Sequence, residues 1–155
     1  MIDEFLVSFL TSDSSISGLA QEIAVGQVPV DDDGELLVQT YIWISNYDEE
    51  DELDLSGESG LTKYRFDIEA CSLDDRTAKR LGRFLKKKLQ GYGPGVFGEI
   101  ETESGIVSGY VDAIFIESKD DDYVSTNQFT INELSVVAFD VMIVADDAQD
   151  DLESV

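Results

Sequence analysis

Seven of the ten cationic side chains in this chain fall between positions 76 and 88: Arg76, Lys79, Arg80, Arg83, Lys86, Lys87 and Lys88. Arg76, Lys79, Arg80, Arg83 and Lys87 recur at i, i+3 and i+4, a spacing that gathers them on one outer face of a helix. On a chain of net charge −24 that face has two readings. It is an ordinary solvated face opposite a core stripe, or it is a self-association surface that meets acid on the next copy, head to tail, in a ring. Contact with DNA phosphates is a third use, disfavoured beside 34 acidic residues. The complementary chemistry is densest at residues 46–60, NYDEEDELDLSGESG. This stretch is too charged to pack and too long for a tight turn, so it reads as a long mobile loop. Its acids Asp48, Glu49, Glu50, Asp51 and Glu52 would bind a partner.

Other chemistries fail on residue type. The chain has no histidine and one cysteine, Cys71. The usual zinc designs and the Ser-His-Asp and Cys-His arrangements therefore have no ligands or base to use. Asp31-Asp32-Asp33-Gly34-Glu35 is superficially like a calcium loop, but its acids are contiguous and Thr40 stands where a bidentate Glu is needed. It reads as a turn, and so does Asp120-Asp121-Asp122. Gly91-Tyr92-Gly93-Pro94-Gly95 follows a helix and lacks a Lys-Ser/Thr partner, so it reads as a loop, not a phosphate cradle. Cys71 ends an apolar strand pattern and reads as a buried small hydrophobe; one cysteine forms no internal disulfide, which favours a reducing compartment. The expectation is a non-enzyme without cofactor or catalytic metal. No run of ~18 apolar residues spans a membrane. The start, Met1-Ile2-Asp3-Glu4, lacks the basic region of a signal peptide.

The elements that would carry these residues follow from periodicity. Ile2, Phe5, Leu6, Phe9 and Leu10 form the apolar face of a first helix, ended by the serine-rich residues 11–17. Residues 18–30 read as a short helical turn and an extended piece. Residues 36–45 (LLVQTYIWIS) read as a strand. In residues 61–70, Tyr64, Phe66, Ile68 and Ala70 alternate with Lys63, Arg65, Asp67 and Glu69, which makes a half-buried antiparallel strand. Ser72 then caps a second helix whose core stripe is Ala78, Leu81, Phe84, Leu85 and Leu89, with Gly91 as its stop. Residues 96–101 and 106–117 read as strands around Ser104-Gly105, residues 119–126 as a charged loop, and residues 134–144 as a central strand apolar on both faces. The fold expected is α+β: a single mixed, mostly antiparallel sheet with two helices packed on one face. Residues 1–145 form one domain, and residues 146–155 an acidic, disordered tail.

This layout resembles the tail-completion, or tail-terminator, proteins of long-tailed bacteriophages and related gene-transfer particles. The resemblance runs over Ile16-Ser17-Gly18-Leu19, Ile23, Pro29, Tyr41-Ile42-Trp43-Ile44, Tyr64 to Ala70, the Ser-x-Asp at Ser72 and Asp74, Leu89-Gln90-Gly91-Tyr92, and Leu134 to Val141. It implies a structural virion protein of the neck. The chain would form a hexameric ring with itself, cap the tail tube protein, and join it to the head connector. DNA would pass through the hole without specific binding. Such a protein resides in the virion tail or neck, and in the host cytoplasm during assembly. An acidic lumen suits this task, because like charge lets DNA slide. The alternatives are a head-tail adaptor and a monomeric acidic domain whose charge serves salt tolerance.

Overall fold

A computed structural model describes residues 2–54, 57–126 and 133–146. Three helices and six strands follow in the order α1 (Ile2–Thr11), α2 (Ser14–Leu19), β1 (Glu22–Val25), β2 (Thr40–Asp54), β3 (Gly57–Ser72), α3 (Asp75–Leu89), β4 (Gly95–Thr102), β5 (Gly105–Thr126) and β6 (Glu133–Asp146). The strands form one sheet in the order β1-β2-β3-β6-β5-β4. β1 pairs parallel with β2; the β2–β3, β3–β6, β4–β5 and β5–β6 pairs are antiparallel.

Two pleated faces receive different partners. Phe66, Ile68, Ile42, Ile44, Phe139, Val141 and Ile143 point to the side where Phe5, Leu6, Phe9 and Leu10 of α1, Ile16 of α2, and Leu81, Leu85 and Leu89 of α3 complete the main core. Their alternating neighbours Tyr41, Cys71 and Val136 pack in a smaller cluster with Val28 and Leu134. The apolar-both-sides pattern of residues 134–144 is thereby explained: β6 lies between β3 and β5 and feeds both clusters.

Several sequence expectations need correction. Among the described residues there are three helices, not two. Asp13, not a helix-ending serine, governs residues 11–17: its carboxylate accepts from the Ser15 and Ile16 amides at 2.9 and 3.1 Å and starts α2. Residues 46–60 are not a long loop. β2 runs to Asp54, and β3 begins at Gly57. Likewise β5 continues through residues 119–126, which composition assigns to a loop. In each case cross-strand hydrogen bonding, which composition does not report, outweighs the low strand propensity of acids. Residues 36–39 fall short of the strand; there, Leu36 makes an isolated bridge to Val30. Of the expected tail at residues 146–155, Asp146 belongs to β6, and the rest lies outside the described residues.

Cys71 is fully buried and free. Burial first, and then the charge of Glu69, pushes its thiol well above the ordinary range. A neutral, enclosed thiol reacts slowly. Under native conditions Ellman's reagent is expected to leave Cys71 unmodified on a timescale of minutes, and to titrate one thiol in denaturant. Rapid native labelling would show that the β2–β3–β6 region opens.

Candidate self-association surface

α3 is set by its ends. Asp74, not Ser72, is the N-cap; its carboxylate accepts from the Thr77 amide at 3.0 Å and the Thr77 hydroxyl at 2.6 Å. Those hydrogen bonds hold the exposed Asp74 carboxyl below its usual range. Ser72 acts one step earlier: its hydroxyl accepts from the Asp74 amide at 3.1 Å and bonds Thr40 Oγ1 at 2.9 Å. At the other end, the Gln90 amide bonds Lys86 O, and Gly91 takes φ +74°, as a C′ glycine should. Lys86, Lys87 and Lys88 occupy the last turn, where cations suit the helix dipole.

Between these ends the apolar stripe fixes the rotation of the helix. Ala78, Leu81, Leu85 and Leu89 are buried, and Phe84 is half-buried. The opposite face is forced outward: Arg76, Lys79, Arg80, Arg83 and Lys87 are all exposed. Lys79 bonds Asp75 at 3.1 Å. Arg80 lies 5.9 Å from the Phe84 ring centre. Among the described residues Arg76, Arg83 and Lys87 form no close ion pair, although the Arg76 charge contributes to lowering the Asp74 carboxyl. The structure thus brings the five basic residues together on one free surface. Lys88 departs from it and sits 4.4 Å over the Phe9 ring.

The acidic segment is placed by backbone only. The register sets Asp48 opposite Arg65, Glu49 opposite Tyr64, Glu50 opposite Lys63 and Asp51 opposite Thr62; Glu52 falls at an irregularity before Leu53. The side chains of Asp48 to Glu52 lie outside those described.

Two features go beyond what the sequence indicates. On the sheet face away from the helices, β3 and β6 set Asp67 directly opposite Asp140. Desolvation, and then the Asp140 carboxyl, raise Asp67 to about 6. Desolvation, and then Asp67, raise Glu69 in turn. Nearby, Arg65 bonds Glu117 at 3.2 Å. Outward alternation of Asp67 is readable in the sequence, but its partner depends on β3–β6 register, which no local pattern states.

The second is a cleft of about 700 Å³ beside α1, lined by Asp3, Glu4, Val7, Ser8, Thr11, Ser12, Val25 and Ile100. Val25 belongs to edge strand β1, and Ile100 to edge strand β4. Both edges of the sheet therefore line this cleft. The sheet curls, and α1 packs on β4 with the cleft marking the seam between the two edges. Among the described residues no group of three or more cysteine or acidic side chains is placed to hold a metal ion. No described helix is long and apolar enough to cross a membrane.

No protein-family profile matches the chain, and no curated protein matches it in sequence. Its fold does have solved counterparts. One is a chain of the virion of a native gene transfer agent particle. It superposes with a TM-score of 0.61 at 14% identity, over 91% of this chain and 91% of that one. The fold is shared over most of both chains; sequence similarity adds little at that identity.

Proposed function

We propose that this chain is a structural, non-catalytic virion protein of the neck. It assembles into a ring, six-fold by the resemblance, that caps the tail tube and joins it to the head connector, with DNA passing through an acidic lumen. The supporting observation is the shared fold with a chain of the gene transfer agent virion, 91% of each chain with a TM-score of 0.61. The exposed basic face of α3 supplies the physical means. At a net charge of −24, copies repel one another beyond contact range, and added salt weakens that repulsion. Association then needs local opposite-charge pairs together with apolar burial, since one exposed pair contributes at most ~1 kcal/mol.

Light scattering coupled to size exclusion, at low and high salt and with purified tail tubes, tests this. A ring is expected, favoured at higher salt. Replacing Arg76, Arg80 and Arg83 with Glu should shift it to monomer while circular dichroism is unchanged. Assembly of the triple variant like the parent would make the helix face merely solvated. A monomer in every condition, tail tubes included, would favour the salt-adapted domain.

A further inference from the structure

We infer that the surface receiving the α3 basic face is the cleft beside α1, so that the contact between copies runs from the N-terminal half of α3 on one chain to the α1 seam on the next. This deepens the ring reading and rests on it. Two properties of the cleft carry the inference. Its rim is acidic, with Asp3 and Glu4 in the first turn of α1. Its floor is apolar, with Val7, Val25 and Ile100, and Val25 leaves 42% of its surface in water.

The α3 surface is the counterpart in both respects. Arg76 and Arg80 are exposed cations, and Leu73, next to the N-cap, is 46% exposed. An exposed apolar side chain at the start of a helix that carries Arg76 and Arg80, with Asp74 and Asp75 between, meets an apolar floor with carboxylates at its rim. Opposite charge fixes register and partner, while burial of Leu73 against the floor excludes water from the pairs. The cleft has room for several side chains, which suits a protein surface. Knob and floor lie on different elements of one chain, so every copy carries one of each, as a repeating head-to-tail contact requires.

A charge exchange tests this. Arg76→Glu with Arg80→Glu should raise the concentration for half-assembly at least tenfold. Asp3→Lys with Glu4→Lys should do the same. The chain carrying all four changes keeps the parent net charge and should assemble within threefold of the parent concentration. Its control carries Arg76→Glu and Arg80→Glu with Asp32→Lys and Asp33→Lys, which restores net charge at an exposed turn outside the cleft; it should stay monomeric. Thr11→Trp fills the cleft without altering charge and should block assembly, an arm that survives if lysines loosen the start of α1. If the α3 variant fails to assemble and the four-change chain is not rescued, the ring reading stands and the cleft is not the acceptor. Normal assembly of Thr11→Trp would likewise overturn the cleft as acceptor. If the control is rescued equally well, net charge alone governs assembly and the cleft assignment falls. If the parent never assembles, both readings fall together.

Discussion

Replacing Gly98 with alanine is expected to cost about 3–5 kcal/mol of stability, and the same change at Gly26 only about 1 kcal/mol. The two residues share a backbone conformation, with φ +78° and +77°, so the intrinsic penalty of a side chain at positive φ is common to both. Their surroundings differ. A Cβ at Gly26 meets nothing within 4 Å, whereas one at Gly98 would collide with the Phe5 carbonyl oxygen and come within 3.0 Å of the Phe9 amide nitrogen. Backbone does not swing aside as a side chain does. Gly98 falls at the irregularity between Val96 and Glu99 in the β4–β5 pairing, where an extra residue bends a strand. The bend brings β4 against α1, and the Glu99 amide donates to Ser8 Oγ at 2.9 Å. Urea unfolding of the two variants checks the claim. Equal losses would mean that the close approach of α1 to β4 contributes nothing.

Asp67→Asn is expected to stabilise the protein by about 1 kcal/mol at pH 7 and by little at pH 4. The folded carboxyl titrates near 6, above its ordinary 3.8. The folded state therefore holds a proton that the unfolded chain has released, and stability falls as pH rises through that window. The contribution is fully present below ~4 and lost above ~6. Undiluted, the difference corresponds to roughly 3 kcal/mol; water around the half-exposed pair lowers it to about 1 kcal/mol. The charged groups bearing on Asp67 are Asp140 across the strand pair and Glu69 two residues away on its own strand. An amide at 67 removes the like charge and keeps a donor for Asp140. With 34 acids the parent has other pH dependence, so the readout is the difference between variant and parent from pH 4 to 7. A constant difference would sink the assignment.

How far the sequence can be read depends on the range of the interaction involved. The α1 and α3 faces are readable, because 3.6-residue periodicity is written in neighbouring positions, and burial of Phe5, Leu6, Leu81, Leu85 and Leu89 follows it. The basic side of α3 comes with them, as the complement of its stripe. Acidic residues 46–54 mislead because strand pairing there is decided by the segment opposite, from Gly57 onward. α2 escapes a sequence reading because its six residues, SSISGL, are weak helix formers that depend on the Asp13 cap and on one buried side chain, Ile16. The α1 cleft is out of reach altogether. It exists only because the first and last strands in sheet order, β1 and β4, both come round to line it beside α1.

Of the described strands, the one latest in the sequence is the one that joins the sheet. β6 alone links the ribbon β1-β2-β3 to the ribbon β4-β5. A nascent chain that has emerged as far as Thr126 can form both hairpins, yet they share no backbone hydrogen bonds, and β3 and β5 each present a bare edge. At ~5–20 residues per second, translation from there to Asp146 leaves those edges open for roughly one to four seconds. During that interval a neighbouring chain on the same message offers the same edges, and strand exchange between the two competes with correct closure. The order of strands thus makes this a protein that closes late, and one whose yield should fall with the density of ribosomes producing it.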